Sequence, residues 1–216
     1  MTIGDSIAEP LQVYRSNLTS EERAAAVGEM MTQVGLSPAF LNRYPHELSG
    51  GQNQRVGIAR AMILKPALVI CDEAVSALDV SIRAQIIDLL IELQKAMGLS
   101  MMFISHDLAV VREVSHRVLV MYLGRVMEAA DRDTLYQNPT HPYTKALLSA
   151  APIPDPVRER GRQRVRLTGE PPSPMDPAAS LRFIPSRLTV DPASGAYLPE
   201  LREVAPGHLV SEFDPE

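Results

Sequence analysis

Two adjacent carboxylates and one histidine follow short apolar runs in this sequence. Asp72 and Glu73 end the segment ALVICDE, and His106 follows the segment SMMFIS. One carboxylate can hold Mg²⁺ through water while the next polarises an attacking water, so the pair could support hydrolysis. Each residue also has an ordinary explanation, because the carboxylates could cap the next helix and a single histidine is most often a surface or core residue.

A second group of candidate residues lies in the stretch HELSGGQNQRVGIARA, residues 46–61. A glycine costs about 1 kcal/mol in a helix interior, so the pair Gly50 and Gly51 belongs at a helix terminus. Bare N–H groups at that terminus can face an anion, and Ser49 and Gln52 add polar side chains beside them. The stretch predicts either a phosphate-binding helix start or an ordinary N-cap after a loop.

The elements that must position these residues alternate between strand and helix. An apolar strand over 67–73 is followed by a helix over 80–98, a second strand over 100–105 and a helix over 108–115. Open parallel sheets bind ligands just beyond the carboxyl ends of their strands. The carboxylates and the histidine are therefore expected to converge.

Further elements flank this unit. The segment LTSEERAAAVGEMMTQVGL predicts a helix that begins with a capping box between Thr19 and Glu22 and stops at Gly35. The Ser-Gly-Gly helix is expected to end at Lys65, because the residue before a proline is pushed out of the α region. The segment RVLVMYLGRVMEAA predicts two strands around the turn at Leu123 and Gly124.

The overall composition excludes several classes of protein. The chain has 216 residues, 45% of them hydrophobic and 22% charged, with a net charge of −5. No run approaches the roughly 18 apolar residues that span a bilayer, and the acidic balance gives no reason to expect nucleic-acid binding. The single cysteine, Cys71, is expected to be a small buried hydrophobe. The lack of a secretory signal and of an intrachain disulfide favours a cytoplasmic location.

The composition changes after Ala151. The following segment is rich in proline and charge and predicts a linker, in which Arg158–Arg166 is a solvated charge run rather than a nucleic-acid contact. The tail to Glu216 contains scattered apolar residues, which predict a small packed appendage.

The order of these segments resembles the second half of an ATP-binding cassette (ABC) ATPase from Met1 to about Pro156. LSGGQ is similar to the family's signature motif, LVICDE to its Walker B strand, SALD to its D-loop and ISHD to its switch histidine. The resemblance implies ATP and Mg²⁺ as cofactors. It implies that Asp72 holds the water shell of Mg²⁺, that Glu73 is the base that orients the hydrolytic water, and that His106 senses the γ-phosphate.

The signature residues are implied to act across an interface. Ser49, Gly50, Gly51 and Gln52 resemble the element that closes over the nucleotide held by the opposite subunit. Asp79 stands where the family has the aspartate of its D-loop and is implied to be a further nucleotide-binding residue. The implied partner is therefore a second ABC ATPase subunit, either a copy of this chain or a different one.

The segments NRYPHELSGGQ, MYLGRVMEAAD and above all HPYTKALL resemble the dipeptide/oligopeptide importer ATPases, a group that also serves nickel uptake. This resemblance implies integral membrane permease subunits as further partners and no nucleic acid. It also implies a cytoplasmic chain that lies peripherally on the inner face of the cell membrane.

The sequence departs from the family in several places. No G-x-x-x-x-G-K-[ST] phosphate loop occurs in the 216 residues, and the first residues resemble an interior stretch of the family, so we expect a cassette that lacks its N-terminal strands. Ala74 and Asn53 stand where proline and arginine are usual. The four cysteines associated with an iron–sulfur cluster are absent, so no cluster is expected; the residues at their places are Leu181, Arg187, Ser194 and Glu212.

These observations predict an α/β fold of the P-loop NTPase ABC type, incomplete at its N-terminus. We expect a helical subdomain with the signature motif over 1–65, the Walker B and switch portion over 66–150, and a linker with C-terminal extension over 151–216. A parallel sheet without its flanking strands is expected to expose apolar surface and to be marginally stable.

Three functions remain open at this stage. The first is the ATP-binding subunit of a peptide importer, which couples ATP hydrolysis to transport but cannot hydrolyse ATP with these residues alone. The second is a non-catalytic subunit that donates only its LSGGQ motif to a partner. The third, an ABC-type ATPase acting on nucleic acid or ribosomes, is disfavoured by the HPYTKALL segment and the acidic charge.

Overall fold

The computed structural model describes residues 1–151 and 200–213, which fall into two compact units, Met1–Val114 and Ser115–Glu216. The first unit alternates helices and strands around a parallel sheet. Its elements are α1 (Ile3–Tyr14), α2 (Ser20–Gln33), 3-10 turns at Pro38–Phe40 and Pro45–Glu47, α3 (Gly50–Met62), β1 (Leu68–Asp72), α4 (Val80–Met97), β2 (Ser100–Ile104) and α5 (Leu108–Val114).

Helix α1 was not singled out from the sequence, although its signals are present. The Thr2 side chain accepts from the Asp5 backbone N–H at 3.2 Å, and the Asp5 carboxylate accepts in return from Thr2, which forms a capping box. Ile3, Ile7 and Leu11 recur every four residues and are all buried. Local capping and one apolar stripe are therefore sufficient to explain this helix.

Helix α2 begins and ends as the sequence predicts. Thr19 and Glu22 form the expected capping box, with hydrogen bonds of 3.2 Å and 2.7 Å. Gly35 follows the helix with φ +69°, in the left-handed region that favours glycine. The chain then turns back so that α2 and α3 pack against each other.

The two strands of this unit form a parallel pair, as the strand–helix–strand pattern predicts. Leu68 pairs with Ser100 and the register continues to Asp72 opposite Ile104. Helix α4 makes the crossover between them, and Gly98 ends it in the left-handed conformation with φ +62°. One hydrophobic core includes residues from α1 to α5, with Cys71 among them.

One face of the sheet is covered by this core and the other is open. The exposed side chains are Leu68, Ile70, Met102 and Ile104, with 52%, 60%, 52% and 45% of their surface accessible. Parallel sheets ordinarily bury both faces. The predicted exposure of apolar surface is confirmed, whereas the predicted marginal stability stays a prediction.

The second unit is an antiparallel sheet with two short helices. Its elements are β3 (Arg117–Tyr122), β4 (Arg125–Asp131), α6 (Arg132–Gln137), α7 (Pro142–Ala150), β5 (Leu201–Ala205) and β6 (His208–Ser211). The strand order is β3-β4-β6-β5. The predicted turn joins β3 to β4, with φ +45° at Leu123 and +80° at Gly124, which is the geometry of a two-residue hairpin loop.

Some predictions fall on residues that the structure does not describe. The linker, the charge run Arg158–Arg166 and three of the four positions assigned to absent cluster cysteines lie outside the described residues. The division into 1–65, 66–150 and 151–216 stays a prediction. Within residues 1–151 and 200–213, every helix is too short or too polar to cross a membrane.

Candidate functional site

The N-terminus of α3 is closed by its own side chains. Ser49 is the N-cap, its hydroxyl accepts from the Gln52 backbone N–H at 3.3 Å, and the Gln52 side chain accepts from the Ser49 N–H at 2.9 Å. By helix geometry, the first-turn N–H groups of Gly50 and Gly51 have no acceptor within the helix. The dipole of the helix therefore presents donors and partial positive charge at this end, which suits an anion.

The two glycines differ in their surroundings. A Cβ on Gly51 would lie 2.6 Å from the Ile82 Cγ2, whereas a Cβ on Gly50 would meet only Leu78 Cδ2 at 4.0 Å. Gly51 is therefore required for the close approach of α3 to α4. The sequence argument assigned both glycines to backbone approach toward phosphate, and it missed this packing role of the second one.

Asn53, one of the departures from the family, also holds the start of α3. Its side-chain amide donates to the backbone oxygen of Pro45 at 2.9 Å, in the 3-10 turn that precedes the helix. This hydrogen bond fixes the 3-10 turn to the first turns of α3.

At the strand tips, Glu73 and His106 meet as predicted. The Glu73 carboxylate lies 2.9 Å from His106 Nδ1, and the Glu73 backbone N–H donates to Ile104 at 3.0 Å, which extends the pairing of β1 with β2. Glu73 has φ +50°, a conformation that costs free energy in a residue other than glycine. Both side chains are accessible, 41% for Glu73 and 79% for His106.

The environment of Glu73 favours its ionised form. The hydrogen bond from His106 lowers the pKa of the Glu73 carboxyl, and a hydrogen bond with the Ser76 hydroxyl adds to this effect. An ionised, accessible carboxylate next to a histidine can accept a hydrogen bond from water and orient it.

Asp72 ends β1 and is exposed beside Glu73. The described residues bring together no cluster of three or more His, Cys, Asp or Glu side chains that could hold a metal ion by themselves. Mg²⁺ does not require one, because it usually takes one or two carboxylates, substrate phosphates and several waters. The donors at Asp72 and Glu73 therefore fit Mg²⁺ when it arrives with a phosphate ligand.

Asp79 has a clear local role. It is the N-cap of α4, and its carboxylate accepts from the Ile82 backbone N–H at 3.0 Å and from the Ser81 hydroxyl at 2.8 Å. The first of these bonds is the main cause that lowers the pKa of Asp79. The cap fixes the residues of the SALD segment at the start of α4.

Sequence reasoning missed an ion pair that joins two of the motifs. Arg83 on α4 donates to the Asp107 carboxylate at 2.8 Å and to the backbone oxygen of Leu78 at 3.2 Å. Asp107 in turn accepts from the Ala109 N–H at 3.0 Å and so holds the start of α5, next to His106. The available signal was the placement of Arg83 one helical turn after the cap Asp79.

Two protein families match this chain. Residues 3–76 match the ABC transporter family, and residues 127–190 match the oligopeptide/dipeptide transporter C-terminal region. The first match contains the start of α3 and both strand-tip carboxylates. The second contains the THPY segment, residues 140–143.

Curated relatives are similar over nearly the whole chain. The oligopeptide transport ATP-binding protein OppF of Salmonella typhimurium is 54% identical over 98% of this chain and 63% of its own length. The putative oligopeptide transport ATP-binding protein YkfD of Bacillus subtilis is 48% identical over 98% of this chain and 64% of its own length. The chain thus spans less than two thirds of the length of these relatives.

Among solved structures, the chain is similar to the dimeric post-hydrolysis state of the ATP-binding cassette MJ0796 bound to ADP and Pi. The TM-score is 0.54 at 32% identity, with 61% of this chain and 57% of that chain covered. The similarity confirms the predicted α/β cassette fold.

Proposed function

The chain carries an ABC transporter segment and the C-terminal region of oligopeptide/dipeptide transporters, and from this premise we propose that it is the ATP-binding part of a peptide importer. The observation that carries the proposal is the Glu73–His106 hydrogen bond of 2.9 Å at the carboxyl ends of two parallel strands. A paired carboxylate and histidine at that edge of a parallel sheet suit phosphate hydrolysis.

The strand-tip residues take distinct roles in the proposed reaction. Glu73 orients the water that attacks the γ-phosphate, because its accessible carboxylate can accept a hydrogen bond from that water. His106 holds Glu73 in place through Nδ1, and the rest of its exposed ring faces the γ-phosphate. Asp72 would hold Mg²⁺ through water, and the ion would neutralise charge on the phosphates.

The start of α3 is proposed to act on a different nucleotide. The 216 residues contain no G-x-x-x-x-G-K-[ST] loop, so they offer no backbone cradle for β- and γ-phosphates of their own. The donors at Ser49, Gly50 and Gly51 need no such loop. We propose that they close over ATP held by a second ABC subunit, and that these residues alone do not hydrolyse ATP.

The remaining partners follow from the relatives. Because OppF and YkfD are named as oligopeptide transport proteins, we propose peptides as the transported class, with integral membrane permease subunits as partners. The chain would then lie at the cytoplasmic face of the membrane.

Association in solution tests the proposed nucleotide sandwich. The chain is mixed with an intact ABC cassette, and sedimentation velocity is measured without nucleotide and with Mg²⁺ plus a non-hydrolysable ATP analogue. We expect a heterodimer only with the analogue. A sedimentation profile that nucleotide does not change would contradict the proposal.

A transport assay tests the substrate class separately. Vesicles that contain the permease subunits, the chain and its partner are loaded with ATP and offered either a labelled oligopeptide or Ni²⁺. We expect ATP-dependent peptide uptake, and nickel uptake without peptide uptake would overturn the substrate assignment while leaving the ATP-binding role intact.

A further inference from the structure

Glu128 is a buried carboxylate that the proposed ATP site does not use. It lies on β4 with no exposed surface, in the segment RVMEAAD. Burying an ionised carboxylate is costly unless its oxygens are hydrogen-bonded. The contacts of Glu128 therefore show what this position is for.

Both oxygens of Glu128 are engaged by other parts of the second unit. Oε1 accepts from the Thr140 backbone N–H at 2.8 Å and lies 2.7 Å from His208 Nε2, while Oε2 accepts from the His141 backbone N–H at 3.0 Å. His208 follows Glu128 by 80 residues and is 5% exposed. One side chain thus joins β4, the THPY segment and β6.

The THPY segment is shaped to meet this carboxylate. Pro142 occupies the first turn of α7, where a missing N–H costs nothing, and the two residues before it direct their N–H groups at Glu128. Nδ1 of His141 accepts from the Tyr143 N–H at 3.1 Å, which requires this nitrogen to be unprotonated. The His141 and Phe213 rings pack in a T-shaped arrangement with their centroids 5.2 Å apart. The segment therefore also contacts the C-terminal end of the described chain.

The hairpin of β5 and β6 has few other attachments. All five residues of β5 are exposed, and β6 pairs with β4 only at Glu128–Val210 and Ala129–Leu209. Arg117 adds a hydrogen bond of 3.0 Å to the Gly207 backbone oxygen. Within the hairpin only β6 is buried, at His208, Val210 and Ser211, so its attachment depends on these side chains and on its two ladder pairs with β4.

We propose that Glu128 and the THPY segment form the docking site of a C-terminal strap, residues 200–213, and that the Glu128–His208 pair holds the strap in place. Loss of this pair releases the strap without unfolding β3 and β4. This assigns a structural task to the THPY segment that is independent of the proposed ATP site. The docked state depends on this buried pair in addition to the buried side chains of Val210 and Ser211.

Hydrogen exchange of the full chain, followed by mass spectrometry, tests the strap. In the His208→Leu variant, which keeps an apolar side chain but removes the donor, we expect peptides covering 206–213 to exchange at least tenfold faster. Peptides covering 117–122 are expected to change less than twofold. His208→Gln, which retains an N–H donor, should fall between wild type and His208→Leu.

Two further variants complete the test. Val204→Thr changes an exposed side chain on the same hairpin and should leave exchange unchanged. Glu128→Gln changes the other partner and should also accelerate exchange at 206–213. The proposal is overturned if His208→Leu leaves the strap protected, if Val204→Thr has the same effect, or if β3 and the strap accelerate together.

Discussion

The chain contains two carboxylate–histidine pairs that are alike in distance and opposite in environment. Glu73 and His106 are 2.9 Å apart and accessible, whereas Glu128 and His208 are 2.7 Å apart with 0% and 6% of their side-chain surface accessible. Water screens the first pair, and a ligand can displace that water. The second pair has almost no contact with water, so neither process applies to it. The same two residue types therefore form an accessible pair in one place, which we propose as a ligand site, and a buried structural pair in the other.

The largest expected effect comes from breaking the buried pair. Glu128→Ala leaves His208, the His141 N–H and the half-buried Thr140 N–H without their acceptor, and each such unsatisfied group costs about 1–3 kcal/mol of unfolding free energy. Glu73→Ala should change stability little, because both partners are accessible. Urea unfolding monitored by far-UV circular dichroism measures both, and equal losses would erase the contrast between the pairs.

Acid should act on the buried region through His141. Burial lowers the pKa of His141 from 6.5 to about 4, so the unfolded chain binds a proton between these values while the folded chain does not. The contribution of His141 to the free energy of unfolding is fully present above pH 6.5. It is lost as the pH falls toward 4, by no more than about 1.4 kcal/mol per pH unit.

A variant that cannot titrate isolates this contribution. His141→Asn keeps a side-chain acceptor for the cap of α7. Between pH 7 and 4 we expect its unfolding free energy to fall less steeply than that of wild type. Parallel curves would show that His141 is not the titrating group.

A smaller loss of stability is expected from a change where α3 packs against α4. Gly51→Ala places a Cβ against Ile82 and should cost about 1–3 kcal/mol, as overpacking does. Gly50→Ala should be neutral or slightly stabilising, because its surroundings are open.

Thermal unfolding of both variants measures the difference. Ile82→Leu removes the Cγ2 that the new methyl would meet, so we expect the double variant with Gly51→Ala to regain most of the loss. Equal melting temperatures for the two alanine variants would contradict the packing role of Gly51.

The accessible pair could be predicted from sequence and the buried pair could not. Glu73 and His106 each follow an apolar strand, and parallel strands bring their carboxyl ends together whatever the rest of the chain does. Glu128 stands in a strand where a charged residue suggests a solvent-facing position, and its histidine partner is 80 residues away. Local patterns contain no information about such a pairing.

The same distinction applies to the helices. The capping box of Thr19 and Glu22 lies within four residues and was predictable, and the similar box of Thr2 and Asp5 was overlooked although it uses the same signal. The contact between Gly51 and Ile82 joins two helices and depends on their packing angle, which no spacing along the chain specifies.

ATP turnover of the chain with an intact ABC cassette partner tests whether the start of α3 acts on a phosphate held by a second subunit. Ser49→Asp keeps a good N-cap, so the melting temperature should not change, but it places negative charge where the γ-phosphate would lie. Loss of favourable donors worth about 1.5–3 kcal/mol corresponds to roughly 10–150-fold in rate. Ser16→Ala, in the exposed turn after α1, is the control. We expect turnover at least tenfold lower for Ser49→Asp with unchanged stability, and wild-type turnover in that variant would show that the start of α3 does not act on the partner's nucleotide.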